Sequence, residues 1–513
     1  MNVGTLIERA GRRYGGRVAL EDHRGELTFE QVADRVNRLA RGLLGLGLEP
    51  GDRVLDLQTN STDYVVTDYA LASAGLVRVA LNHRHQPQDW GRIAHDNGAR
   101  GIIFADRFRH AAAGVLDEVA VRVCVDADGD DRSAGIELIE NTSAGPLGVD
   151  VGPDDLVSLN YSSGTTGRPK GALRSHRNRM ASLANIVTDI LGGVPAPDDA
   201  WCHAGPLTHA SGLFSLPHFA LGARQVILPE WDPSAFVDAV LRRGVTGSVL
   251  VPTMLVRLMR SDALPAGGLT SLRRLVYAGA PMPPEQVREA LRDVTPRLIQ
   301  MYGLVEAIPP VTVLDEAAHR EGATSPDSML LASAGRPCLG VELRIVDEAG
   351  HEVAPGEVGE VITRGDHTMA GYWGTADDAV AKSIVDGWLL TGDLGKLVDD
   401  HLYLVDRKGD MIISGGYNIY PREVEDVIAE VDGVDQVVVL GAPDPEWGQR
   451  IVAFVTSARG ATIDVGAIER HCRERLAGYK KPKEIHQVDE LPVGVTGKVS
   501  KQALVQLLTA ADP

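Results

Sequence analysis

The run Ser162-Ser163-Gly164-Thr165-Thr166-Gly167-Arg168-Pro169-Lys170-Gly171 decides how this chain is read. Before it stands a short apolar run, Leu156-Val157-Ser158-Leu159-Asn160-Tyr161, which predicts a buried strand. After it come Arg174-Ser175-His176 and a helix-like segment. Strand, glycine-rich turn and helix form a setting for a phosphate chain. Glycines let the backbone come close, and exposed N–H groups and hydroxyls donate to phosphate oxygens. Ser162, Ser163, Thr165 and Thr166 put four hydroxyls within five positions, and Lys170 adds a cation at the end. The spacing is not that of a Walker A loop, in which Gly, four residues and Gly-Lys-Ser/Thr follow one another. The plain alternative is a solvated Ser/Gly/Thr loop; the preceding strand and the terminal lysine weigh against it.

A chain of 513 residues exceeds one ordinary core and predicts several subdomains. Its formal charge of −19 argues against nucleic acid, or an anionic membrane, as the main partner. The acidity is uneven, because the stretch from Arg407 onward is nearly balanced. That stretch holds the basic run Arg473, Arg475, Lys480, Lys481, Lys483, so an anionic ligand is expected there. A solvated helix face fits Arg473 and Arg475 equally well. Cys124, Cys202, Cys338 and Cys472 stand far apart, with neither zinc spacing nor a disulfide framework, which fits a reducing cytoplasm. The first twenty residues include Glu8 and no long apolar run, unlike a signal peptide. The nearest approach to a membrane span, Leu213 to Leu221, is short and broken by Pro217 and His218, so no integral membrane association is expected.

Along the chain, Val32, Val36, Leu39, Ala40, Leu43 and Leu44 share one face of a helix predicted from Phe29 to Leu46. Strands are expected at Arg53–Leu57, Leu76–Leu81, 101–104 and 121–125, and a helix from Asp63 to Gly75. Such alternation predicts mainly parallel α/β layers. Loops are expected at 126–133 and 192–199. Further stretches carry chemistry. Gly205-Pro206-Leu207-Thr208-His209-Ala210-Ser211-Gly212 sets a histidine between Pro and Gly; a lone histidine is more often structural. Ser271 to Pro281 reads as a strand entering a tight turn at Gly279-Ala280-Pro281, where small residues let a flat ring lie on the backbone. Gln300-Met301-Tyr302-Gly303-Leu304-Val305-Glu306 offers an adenine-stacking face and a magnesium ligand. Trp388-Leu389-Leu390-Thr391-Gly392-Asp393 places a carboxylate at a tight turn, able to accept from two ribose hydroxyls. Tyr479-Lys480-Lys481-Pro482-Lys483 combines an aromatic face with cations, as a nucleotide 3′-phosphate requires.

In this order the motifs resemble those of the adenylate-forming superfamily, which contains acyl-CoA synthetases, peptide-synthetase adenylation domains and beetle luciferases. The resemblance spans nearly the whole chain. It implies an α/β fold: a large N-terminal domain of layered αβαβα subdomains with a β-rich subdomain, and a small mobile C-terminal α/β lid. The boundary is placed between a 1–405 domain and a 406–513 lid. The implied ATP contacts are Ser162, Ser163, Gly164, Thr165, Thr166, Lys170, Gly279, Ala280, Pro281, Gln300, Tyr302, Gly303, Asp393 and Arg407. His209 would lie beside the acyl carboxylate and α-phosphate, Glu306 would hold Mg²⁺, and Lys498 in Pro492-Val493-Gly494-Val495-Thr496-Gly497-Lys498 would neutralise charge as pyrophosphate leaves. Gly415 and Gly416 would border the pantetheine tunnel, and Trp447, Tyr479, Lys481 and Lys483 would contact CoA. The lid would turn about Gly409. Val305 stands where the family has a Thr that contacts the phosphate, and Tyr417 where it often has Glu. Gly335-Arg336-Pro337, Gly356 to Glu360 and Gly371-Tyr372-Trp373 resemble the β-rich region and are assigned structural roles.

The reading is a cytoplasmic acyl-CoA synthetase that uses Mg²⁺, ATP and CoA. Acyl-pocket candidates, by adjacency to the motifs, are Ser211, Phe214, Tyr277, Ala278, Leu304, Val305 and Ile308, with His209. None is a Lys or Arg that could pair with a second carboxylate, so a fatty or aromatic monocarboxylic acid is expected. One alternative is an acyl-AMP ligase that loads a carrier-protein thiol; another is a nucleotide-binding pseudoenzyme. A homodimer is left open.

Overall fold

The apolar stripe after Thr28 folds as the helix Phe29–Gly45, closed by a capping box between Thr28 and Gln31. Val32, Val36, Leu39 and Leu43 are buried in a core shared with the helices Val3–Tyr14 and Thr62–Ser73. Our computed structural model describes residues 2–126, 138, 141–162, 170–325, 328–374, 383–414, 417–458, 461–494 and 499–511. The chain packs as two units: Met1–Pro281 with Gln286–Leu343 and Thr363–Leu390, and Met282–Glu285 with Arg344–Ile362 and Thr391–Pro513.

The first unit contains two sheets. One has seven strands, in the order Gly371–Tyr372, Lys170–Ser175, Leu156–Ser162, Val77–Ala80, Arg53–Leu57, Gly101–Phe104 and Val121–Cys124. The other has nine, in the order Arg336–Pro337, Thr312–Leu314, Leu298–Tyr302, Arg274–Ala278, Gly247–Leu250, Ala200–His203, Arg224–Ile227, Val18–Asp22 and Gly25–Thr28. Most neighbours are parallel, as the alternation of strands and helices predicts.

One junction differs from expectation. The strand Leu156–Ser162 leads not into a helix but into a second strand, Lys170–Ser175, antiparallel to it. The helix starts only at His176, where Ser175 and Asn178 form a capping box. Between Pro169 and His176 lie six residues, the length of one strand. The motifs at Arg336 and Tyr372 also depart from a single β-rich region, since each forms an edge strand of a different sheet.

The helix Thr62–Ser73 is buried on nearly every side, yet it carries Asp68 inward. Arg78 pairs with Asp68 at 3.0 Å and with Asp56 at 2.6 Å, and Arg179 also pairs with Asp68. Removing one partner from so buried a group leaves an uncompensated charge, at a cost of about 3–5 kcal/mol.

Interior histidines, His203, His218 and His319 among them, are held neutral. His203 lies between Ser211 and Gln225, His218 stacks on Trp201 with ring centroids 4.6 Å apart, and His319 bonds Tyr277. Burial pushes His203 and His319 down to about 4 and His218 to about 3. Between pH 6.5 and 4 the unfolded chain therefore binds protons that the folded chain refuses, so stability falls as pH falls through that window. The urea midpoint is expected to drop between pH 7 and pH 5, with each ring contributing up to about 2 kcal/mol. A midpoint that stays flat over this range would contradict the assignment.

In the second unit the chain follows the strand Trp388–Val398 from Thr391 onward and returns antiparallel along His401–Arg407, with Asp393 opposite Arg407. Further on, a three-stranded sheet of Val434–Asp444, Gly448–Ser457 and Glu484–Gln487 packs with the helices Pro421–Ala429 and Val465–Arg475. Ile419, Val424, Ile428, Val439, Ile451 and Ile468 fill the core between them. All four cysteines are buried free thiols. Among the described residues no helix is long and apolar enough to cross a membrane.

Candidate active site

Two neighbouring parallel strands, Arg274–Ala278 and Leu298–Tyr302, run in register, with Ala278 opposite Met301. Gly279-Ala280-Pro281 leaves the first and Tyr302-Gly303 ends the second. Both turns thus open at the carboxyl end of the sheet, where open α/β sheets bind ligands. Gly279 has a φ of 91°, which favours glycine. Gly303 is required by contact instead, because a Cβ there would stand 2.7 Å from Pro309. Gln300 and Tyr302 are buried here, and Gln300 Oε1 has no hydrogen-bond partner among the described residues.

Glu306 follows on the next turn. The Tyr372 hydroxyl donates to Glu306 Oε1 at 2.9 Å, and the Met369 N–H donates to the Glu306 carbonyl at 2.8 Å. Burial, with the Glu306 charge beside it, raises the Tyr372 pKa and keeps the hydroxyl a donor. Lys170 Nζ lies 5.3 Å from the Tyr372 ring centroid. Four residues along the same strand, and so on the same face, Arg174 donates to the Val305 carbonyl from Nε at 3.2 Å and Nη2 at 2.6 Å. One strand therefore sets Arg174 on the turn that carries Glu306, and Lys170 over the tyrosine that bonds it.

His209 precedes the short helix Ala210–Leu213, and its Nε2 is 3.1 Å from Asn82 Nδ2. Several acyl-pocket candidates are committed to the interior. Ser211 bonds His203 at 3.0 Å, Phe214 stacks on Trp201 at 4.4 Å, and the Tyr277 hydroxyl meets His319 at 3.0 Å. Ala278 is buried, while Leu304 and Val305 are half-buried. His209 and Ile308 line a cavity of about 90 Å³ together with Asn160, Arg174, Ser182 and Thr208.

In the second unit, Asp393 lies 3.0 Å from Arg407 Nε. It stands inside the strand Trp388–Val398 rather than at a turn, and opens the ladder to His401–Arg407. Gly409 occupies a turn closed by the Asp410 N–H on the Arg407 carbonyl at 2.9 Å. The basic run separates into two kinds. Lys480 is held by Glu423 at 2.6 Å and Arg475 by Glu430 at 3.3 Å. Lys481 and Lys483 have no carboxylate within ion-pair distance among the described residues, and Lys483 lies 5.5 Å from the Trp447 ring centroid. Tyr417 stacks on Tyr479 with centroids 4.4 Å apart, and both rings are exposed. Ser163, Gly164, Thr165, Thr166, Gly415, Gly416 and Lys498 lie outside the described residues, as do the side chain of Ser162 and residues 127–133 of the expected 126–133 loop. Among the described residues no group of three metal-ligating side chains occurs.

Sequence reasoning passed over Tyr372 and Arg174, which meet the Glu306 turn. Tyr372 had only a structural motif around it. Arg174 alone carried a signal, as a second cation four residues after Lys170.

Two family models match this chain: that of the AMP-binding enzyme over residues 7–373, and that of the AMP-binding enzyme C-terminal domain over residues 423–498. A feruloyl-CoA synthase of Amycolatopsis sp is 36% identical over 504 residues, 97% of each chain. An indoleacetate–CoA ligase of Aromatoleum aromaticum is 34% identical, covering 99% of this chain and 98% of its own. Among solved structures, ATP-bound MatB from Rhodopseudomonas palustris superposes with a TM-score of 0.88 at 28% identity, over 100% of both chains. The mixed α/β fold, with a large N-terminal and a small C-terminal domain, is thus one that these relatives share.

Proposed function

Since the chain belongs to the AMP-binding enzyme family, we propose that its site joins a fatty or aromatic monocarboxylic acid to ATP, and then passes the acyl group to coenzyme A. The protein is an acid–thiol ligase of the AMP-forming type. In the first step a substrate carboxylate oxygen attacks the α-phosphorus and pyrophosphate leaves. In the second the CoA thiol attacks the acyl carbonyl and AMP leaves. Neither step needs a side-chain nucleophile, so the protein's contribution is positioning and charge stabilisation.

The observation that carries this reading is the pair of turns, Gly279–Pro281 and Tyr302–Gly303, opening side by side next to a Glu306 aimed by Tyr372. Adenine would lie along the first turn and against Tyr302. Mg²⁺ is usually held by one or two carboxylates together with substrate phosphates, and Glu306 has an oxygen beyond the one Tyr372 engages, which suits it. Bound there, the ion would offset phosphate charge. The 162–170 loop and Lys498 serve adenylation, and Asp393 and Arg407 hold the ribose. The division into a 1–405 domain and a 406–513 lid, and a cytoplasmic setting, belong to the same proposal.

ATP–pyrophosphate exchange over a panel of acids tests it, with CoA thioester measured in parallel. Ferulate, indole-3-acetate and hexanoate are the first to try. Exchange with an acid, followed by its thioester, is expected; exchange without thioester would point to a carrier-protein acceptor. For CoA itself, Lys481→Ala is expected to raise the CoA Michaelis constant roughly tenfold, the effect of one lost charge-assisted contact, and to spare exchange. An unchanged CoA constant, or an equal rise for ATP, would remove Lys481 from the site.

A further inference from the structure

Among the described residues Arg174 is a guanidinium with no carboxylate in direct contact. It lies in the strand Lys170–Ser175 and lines the cavity of about 90 Å³ beside Asn160, Thr208, His209 and Ile308. Three arginines face this cavity: Arg78, Arg174 and Arg179. Two buried carboxylates answer them, Asp56 on Arg78 and Asp68 on both Arg78 and Arg179. Among the described residues no carboxylate lies within ion-pair distance of Arg174. Glu306, whose charge favours it from farther off, is turned to the Tyr372 hydroxyl.

The guanidinium is also aimed. Nε and Nη2 both donate to the Val305 carbonyl, which fixes the plane of the group. Guanidinium carries five N–H donors, so that carbonyl leaves one edge unused. The same cavity holds other unused polar atoms, since Thr208 Oγ1 is buried with no hydrogen-bond partner among the described residues. The volume is that of a few waters, or of one small charged group at the end of a larger molecule. Desolvation drives Arg174 down to about 10, against the pull of Glu306. A half-buried cation with one edge held in place and the other unused is completed by an anion, and a planar carboxylate matches it.

Resting on the ligase reading above, we propose that Arg174 binds a carboxylate of the acyl substrate through the edge not used by Val305. The carboxylate is either the reacting one or a second acid group on the acyl chain.

The test uses the full chain with Arg174→Lys, Arg174→Gln and Arg174→Met, and urea midpoints to verify folding. The Michaelis constants for acid and for ATP are read from pyrophosphate exchange, using hexanoate, ferulate and the dicarboxylate adipate. Direct binding of the same acids without ATP is followed by calorimetry. Arg174→Met and Arg174→Gln are expected to raise the acid constant and its dissociation constant by about 10–100-fold, to move ATP less than twofold, and to be partly rescued by Arg174→Lys. A rise for every acid assigns the reacting carboxylate; a rise for adipate alone assigns a second one, and replaces the monocarboxylic substrate of the reading above with a dicarboxylic one. Acid constants that stay unchanged in folded variants would overturn the proposal, leaving Arg174 as a brace for Val305. A rise confined to ATP would also overturn it, placing phosphate at this edge. If wild-type protein binds acids but exchanges no pyrophosphate, the ligase reading fails while the calorimetry still decides the role of Arg174.

Discussion

Alanine at position 498 is expected to lower ATP–pyrophosphate exchange by roughly 10²–10³-fold, the scale for loss of one preorganised charge stabiliser. Premade acyl-adenylate and CoA should still give thioester at close to the wild-type rate. In the first step negative charge gathers between the incoming carboxylate and the departing pyrophosphate, and a point cation there lowers the barrier. In the second step pyrophosphate has gone and the leaving group is AMP. A cation needed only in the first step should therefore divide the two half-reactions. Equal loss of both would mean that Lys498 supports the whole site rather than the first transition state.

Glu306→Gln should be nearly as damaging to exchange, by about 10²-fold or more, with a raised requirement for Mg²⁺. Glutamine keeps the shape and can still accept from the Tyr372 hydroxyl through its amide oxygen. Only the charge is lost, so a fall in activity would not be a loss of packing. Tyr372→Phe is the companion variant, because it leaves the carboxylate in place and removes its orienting donor. Its loss should be smaller, on the order of tenfold, consistent with one hydrogen bond. Exchange by Glu306→Gln at the wild-type rate, with no change in the Mg²⁺ requirement, would exclude Glu306 as a metal ligand.

Local patterns were readable in the sequence where one face of an element is buried and the other is not. The helix Phe29–Gly45 follows its apolar stripe to within one residue. The strand Arg53–Leu57 has the expected bounds. The hairpin after Leu156 was harder to read, because a glycine-rich connection gives no sign of whether a helix or a strand comes next. Only Ser175 with Asn178 marks where the helix starts, and that signal lies after the strand. Site residues named by motifs were readable, whereas their partners were not. Tyr372 is 66 residues from Glu306, and Arg174 is 131 from Val305. Contacts at such separation are set by sheet topology, which no local pattern encodes. The acyl-pocket candidates show the same limit: adjacency in sequence placed Phe214 and Tyr277 near the motifs, but their rings pack into the interior.

The four buried thiols have a use as a stopwatch for local opening. Cys124, Cys202 and Cys338 lie in the first unit and Cys472 in the second, and each is shielded. Burial raises the pKa of Cys202 to about 12 and of Cys472 to about 11, so neither is a ready nucleophile while its surroundings stay closed. An alkylating reagent would modify each sulfur only when the segment around it opens, so the time course at each position reads the opening free energy of that part of the chain. Mass spectrometry of the modified peptides would then tell whether the two units loosen together or one before the other, without a single introduced label.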